Sequence, residues 1–124
     1  MPELFRKHPK FSSSKAAKAD LLDFELLFQL AAEKDKTAMD ILTDCLNAWS
    51  AAIITMIHAY DPEMVIIGGG VMKSEKQILP YIQQKVNQYA WTPWGKVAVK
   101  SAKFTDEAGQ LGITYLLNRY LNNK

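Results

Sequence analysis

Three consecutive glycines, Gly68, Gly69 and Gly70, close the continuously apolar, largely β-branched run Met64-Val65-Ile66-Ile67. They are the residues of this sequence best suited to meet a ligand. Lacking side chains, they let a ligand come against the backbone, and they reach positive φ angles that other residues resist. At the carboxyl end of a parallel strand they would stand where α/β sheets bind ligands. Backbone amides just ahead of a following helix would face phosphate oxygens there. Such a turn reads shape and phosphate and performs no chemistry. A triple glycine serves equally well as a tight strand-to-helix turn, and spacing alone leaves both readings open. The triplet is neither the Gly-x-x-x-x-Gly-Lys-Ser/Thr phosphate loop nor the spaced dinucleotide fingerprint.

No other residues form a catalytic or metal-binding constellation. Cys45 is the single cysteine, so neither an intrachain disulfide nor a multi-cysteine zinc site can form, and a reducing, cytoplasmic setting is expected. Cys45 falls within an apolar stripe, where cysteine behaves as a small hydrophobe. His58 lies off that stripe and reads as a surface or interface residue, and His8 has no evident partner. Asp61 and Glu63 flank the entry to the apolar run and read as turn-capping residues. Tyr89, Trp91 and Trp94 either form an exposed aromatic surface of the kind enriched at interfaces or cover a crossover.

The elements that must position the glycines follow from periodicity. Residues 1–19, with two prolines and the Ser12-Ser13-Ser14 cluster, read as a lead-in, extended or loosely attached, to the unit 20–124. Asp23 caps a helix over Phe24–Glu33 with Phe24, Leu27, Phe28 and Ala31 on its buried face. The clearest signal spans Thr37–Tyr60, where Ile41, Leu42, Cys45, Leu46, Trp49, Ala52, Ile53, Met56, Ile57 and Tyr60 repeat at helical period. Thr37 with Asp40 would cap it, and Asp61-Pro62 would end it.

Met64–Ile67 then reads as a buried parallel strand. A helix beginning near Leu79 follows, with Pro80 in its first turn and Ile82, Val86 and Tyr89 buried. Trp91–Gly95 forms a turn and Val97, Ala98 and Val99 a second strand, parallel to the first through a right-handed crossover. Thr105 or Asp106 opens a last helix, Ala108–Leu121, which buries one broad side.

Composition is that of an ordinary globular domain, 48% apolar and 23% charged over 124 residues. Fifteen basic and thirteen acidic side chains leave a formal charge of +2, which demands neither nucleic acid nor an anionic membrane. The longest apolar stretch, Trp49–Ile57, is interrupted by Ser50 and Thr55 and falls short of the ~20 residues of a membrane span. No membrane partner is expected, and the first residues lack the order of a signal peptide.

Asp61-Pro62-Glu63 leading through Met64–Ile67 to Gly68-Gly69-Gly70-Val71 resembles a segment of the ROK family, the sugar kinases and sugar-responsive repressors of the actin/hexokinase superfamily. Ser101-Ala102-Lys103-Phe104 with Ala108-Gly109-Gln110-Leu111-Gly112 resembles that family's closing strand and last helix. Two motifs in the right order and separation, behind a long helix, extend the resemblance over roughly residues 20–122. It implies an α/β fold: a helix-rich, partial ribonuclease-H-like C-terminal lobe with a parallel β-α-β unit and long helices. It also implies that Gly68, Gly69 and Gly70 lie against the adenosine and phosphates of ATP. Gly109 and Gly112 are packing glycines in this reading.

The family's first phosphate turn, its catalytic Asp, its sugar-binding His-Glu pair and its zinc cysteines would lie upstream, and residues 1–124 contain none of them. The resemblance therefore implies ATP with magnesium, and a hexose or amino sugar, for an intact parent kinase, with no cofactor assigned to this chain alone and no catalytic residue in it. A sugar-sensing repressor fragment, with DNA as partner only if a helix-turn-helix domain lies upstream, and a non-catalytic self-association module are the alternatives. Two strands leave exposed edges, so pairing is expected, as a homo-oligomer or with the missing N-terminal lobe.

Overall fold

The computed structural model describes residues 1–93, 95–104 and 106–123. Five helices, α1 (Pro2–Lys7), α2 (Phe24–Ala32), α3 (Lys36–Tyr60), α4 (Glu75–Tyr89) and α5 (Ala108–Asn122), accompany two strands, β1 (Met64–Ile67) and β2 (Ala98–Ser101). The strands pair in parallel, Met64 opposite Ala98 through Ile67 opposite Ser101. The expected β-α-β unit is formed.

Helix α3 is the spine. Its 25 residues span about 37 Å at the α-helical rise. Ile41, Leu42, Leu46, Ile53 and Ile57 are buried along one side, against α2 and α4. The buried hydroxyl of Ser50 donates to the Leu46 carbonyl at 2.7 Å, so no polar atom is stranded within the stripe. By length and composition α3 could cross a membrane, yet its apolar side is the center of this core. The stripe is wider than its cover: Met56 is 49% and Tyr60 81% exposed. Asp61, ahead of Pro62, takes a left-handed conformation with φ 49° and ends the helix there.

The start of α3 differs from the sequence reading. Asp35, rather than Thr37, is the cap; its carboxylate accepts the Ala38 amide at 3.0 Å. Thr37 instead sits buried inside the helix and donates to the Lys10 carbonyl at 3.3 Å. Asp35 also receives the Ser14 hydroxyl at 3.0 Å and the Lys15 amide at 3.2 Å. These bonds tie residues 1–19 to the spine and correct their extended, loose reading. The segment folds as α1 and two 3-10 turns, Phe11–Ser13 and Lys15–Lys18, with Phe5 and Ala16 fully buried. The Phe5 ring lies 6.5 Å from that of Phe11. His8 has partners after all, since its Nε2 is 3.4 Å from Asp40 and its Nδ1 accepts the Lys10 amide.

Helix α4 begins at Glu75, with Pro80 inside it. Pro80 falls in the second turn, where it forgoes one backbone hydrogen bond. Ser74 makes no side-chain cap. Ile82 and Val86 are buried as expected, while Tyr89 is 56% exposed. Gln83 on this helix ties it to the sheet: its amide donates to the Val97 carbonyl at 2.9 Å and its oxygen accepts the Val99 amide at 2.8 Å.

The strand and the last helix are less covered than the sequence suggests. Met64 is 43% and Ile66 64% exposed, because only the face carrying Val65 and Ile67 packs on the core. Helix α5 contains no buried residue; Ile113, Leu116 and Leu117 are all more than half exposed. Thr105, named as an opener of α5, lies outside the described residues, and Glu107 occupies the capping position without a side-chain bond.

Two outcomes follow from these contacts. Replacing Gln83 by Leu leaves the Val97 carbonyl and Val99 amide without their partner, and urea unfolding is expected to report a loss of about 1–3 kcal/mol. For Asp35, desolvation works against ionization, but the amides of Ala38 and Lys15 and the Ser14 hydroxyl outweigh it and hold its carboxyl below the usual range. A lowered folded-state pKa makes its stabilization fully present above the ordinary aspartate value of about 3.9 and lost as pH falls through the lower folded value. Asp35→Asn is expected to flatten the acid limb of a pH–stability profile below about pH 4.

Candidate functional site

The glycine turn is set by the end of the parallel ladder. The Ala102 amide donates to the Ile67 carbonyl at 2.8 Å, carrying the pairing one residue past β2 and laying Gly68 beside Ala102. A Cβ on Gly68 would stand 3.6 Å from that of Ala102, an ordinary contact. Gly69 has φ 98° and ψ 168°, a region essentially reserved for glycine. Gly70 opens a 3-10 turn, Gly70–Ser74, closed at its start by a 3.0 Å bond from the Met72 amide to the Gly69 carbonyl. Met72 is buried and anchors the turn beneath. The three glycines thus do different things: Gly68 keeps the strand end slim, Gly69 bends the chain, and Gly70 lets a neighboring side chain come close to the backbone.

Two hollows flank the turn. On one side lies a polar cleft of about 560 Å³ whose walls include Lys73, Ser74, Lys76, Ser101 and Lys103. On the other lies an apolar groove of about 550 Å³, bounded by Phe24, Trp49, Met56, Ile66, Gly68 and Val71. The rings of Phe24 and Trp49 pack 5.7 Å apart in its wall. Lys73 reaches across the turn to Asp106, 3.3 Å from Nζ to Oδ2. A Cβ on Gly70 would stand 3.4 Å from Oδ1 of the same carboxylate. Asp106 suggests itself in the sequence only as a helix opener; its approach to the glycines depends on the path from β2 to α5.

The remaining singled-out residues lie elsewhere. Asp61 and Glu63 sit at the opposite end of β1, Glu63 about 16 Å from Gly68 by strand rise. There Asp61 is the left-handed cap of α3 and the Glu63 carbonyl accepts the Ala98 amide at 3.3 Å. His58 is at that end too, its Nε2 accepting the Trp91 amide at 3.0 Å. Trp91 is 79% exposed, so with Tyr89 it forms an outward aromatic surface; Trp94 lies outside the described residues. Cys45 is half-buried, and desolvation, with Asp44 nearby, raises its thiol pKa, the opposite of what a reactive thiolate needs. Gly109 and Gly112 have no heavy atom within 4 Å of where a Cβ would be, so the close packing expected of them is not made within this chain. Among the described residues no group of His, Cys, Asp and Glu could hold a metal ion.

Residues 8–120 match the ROK family. The chain belongs to it. A glucokinase of Thermotoga maritima is 28% identical over 103 residues, covering 82% of this chain and 32% of that enzyme. A glucokinase of Aeropyrum pernix is 33% identical over 88 residues, 69% of this chain and 27% of its own length. The chain therefore spans about a third or less of the curated relatives it matches. Among solved structures, a Cytophaga hutchinsonii protein assigned as a sugar kinase superposes with a TM-score of 0.75 over 94% of this chain and 38% of its own, at 16% identity. That likeness shows the fold, a helix-rich α/β arrangement with a parallel strand pair.

The glycine geometry separates the three positions experimentally. Gly69→Ala meets no steric obstacle but forces a side chain into a positive-φ conformation, at an expected cost of about 1–3 kcal/mol. Gly68→Ala, at ordinary contact distance, is expected to leave thermal stability nearly unchanged. Differential scanning calorimetry of the two variants checks the contrast.

Proposed function

We propose that this ROK-family chain is the C-terminal, nucleotide-side piece of an ATP-dependent sugar kinase, acting in the cytoplasm on a hexose or amino sugar. The observation that carries the reading is the Gly68-Gly69-Gly70 turn at the carboxyl end of a parallel strand pair, with an apolar groove on one flank and a lysine-lined cleft on the other. A nucleotide has this polarity: a flat, weakly polar base and an anionic tail. The glycines admit the ligand to the backbone, and Lys73, Lys76 and Lys103 supply positive charge toward phosphate oxygens. The glucokinase relatives favor a kinase over a regulator as parent.

The chemistry of transfer is not located in these residues. Phosphoryl transfer needs a positioned base and a closed, charge-stabilizing site around the phosphoryl group. Among the described residues no group of three or more His, Cys, Asp and Glu could hold a metal ion, and magnesium in the intact kinase would come with ATP, held largely by its phosphates. What this chain contributes is one wall: it binds, orients and excludes water from one side of a nucleotide.

The bare faces of α5 and β1 belong to the same reading as surfaces covered by the rest of the kinase or by a second copy. Light scattering is expected to give a mass above 14 kDa for the isolated chain, and a compact monomer would count against this part.

Titration with ATP–magnesium, followed by amide chemical shifts, is expected to perturb Gly68–Ser74 and residues 101–103 saturably. Gly68→Ala, which puts a methyl on the ligand face without unfolding the turn, should weaken that response. With ATP–magnesium and a panel of hexoses the chain alone should show no turnover above background. Shifts scattered elsewhere, or measurable phosphorylation, would sink the proposal in its two parts.

A further inference from the structure

We infer that Asp106 is the ribose-reading group of the glycine-turn site, held in place by Lys73; the inference rests on the nucleotide reading above. The carboxylate lies against Gly70, where a Cβ would stand 3.4 Å from Oδ1, while Oδ2 is 3.3 Å from Lys73 Nζ. Stability gives no reason for this arrangement. The two side chains are 75% and 48% exposed, and exposed pairs of this kind contribute little to folding.

The chemistry of a carboxylate selects its ligand. It only accepts hydrogen bonds, so it repels a phosphate and suits a group offering donors. Of the parts of a nucleotide, the vicinal 2′- and 3′-hydroxyls of ribose offer two adjacent donors and no charge. Glycine-turn nucleotide sites in other α/β folds use an acidic residue on the ribose hydroxyl for this reason. Lys73 leaves acceptor capacity on Oδ1, toward the turn, and balances the charge that would otherwise meet the anionic tail. Lys76 and Lys103 line the adjoining cleft together with Glu75; among the described residues neither lysine is ion-paired, so phosphate has two basic groups apart from the Asp106–Lys73 pair. Asp106 sits two residues ahead of α5, so ribose contact would also fix the departure of that helix from the sheet.

The test compares ATP with 2′,3′-dideoxy-ATP on the 124-residue chain, by the same amide-shift titration, for the wild type, Asp106→Ala, Asp106→Asn and Lys73→Ala. Thermal melting confirms that each variant is folded. The wild type should bind ATP about tenfold to a hundredfold more tightly than the dideoxy analog, the range of a hydrogen bond to a charged group. Asp106→Ala should lose that discrimination while binding the analog like the wild type. Asp106→Asn, with one acceptor oxygen kept, should retain part of it, and Lys73→Ala, which frees the carboxylate, should reduce it. A wild type that binds both nucleotides equally, or an Asp106→Ala variant that discriminates as before, overturns the ribose assignment and leaves the nucleotide site standing. A wild type that binds neither overturns both.

Discussion

One apolar stripe, running the length of α3, holds this chain together. Ile41, Leu42, Leu46, Ile53 and Ile57 are buried along it, with α2 and α4 packed against the helix. The sheet is positioned by α4, the glycine turn by the sheet, and the amino-terminal segment by Asp35 at the head of the spine. Burial is therefore concentrated along α3 and falls away toward β1 and α5. The glycine turn is built on the well-packed half, where Met72 and Ile78 are buried, whereas α5 has no such support.

Periodicity made the spine and the order of elements legible. The long helix, its Asp-Pro stop, the four-residue strand and the parallel crossover all follow from spacing that tertiary contacts did not override. The amino-terminal errors have a common origin. Thr37 and Asp35 are both good caps by type, and choosing between them takes the position of Ser14 and Lys15, which come from twenty residues away. The prolines and the serine cluster suggested a loose lead-in, yet Phe5 is fully buried with Phe11 beside it, and the segment is seated against α3. Pro80 misled the reading of α4 because a proline is most at home in a first turn. Here the 3-10 turn before it starts the helix early.

The candidate site was legible only in its backbone. Three glycines announce a turn, and Gly69 carries the positive-φ conformation that justifies one of them. The side chains around it were not readable, because Lys73 comes from the turn after β1 and Lys103 and Asp106 from the connection after β2, two stretches brought together by the crossover. The buried faces assigned to β1 and α5 were read correctly as apolar; what sequence could not supply was their cover. Met64, Ile66 and the α5 leucines have core-like composition on surfaces that this chain leaves open.

Gln83 gives the two-stranded sheet a direction. With its amide bonded to both the Val97 carbonyl and the Val99 amide, a side chain occupies the flank of β2 where a further strand would otherwise align. The flank of β1 carries no such plug, and it adjoins the apolar groove. Enlargement of this sheet is therefore one-sided: any additional strand, from whatever chain, has its place beside Met64–Ile67, next to the glycine turn.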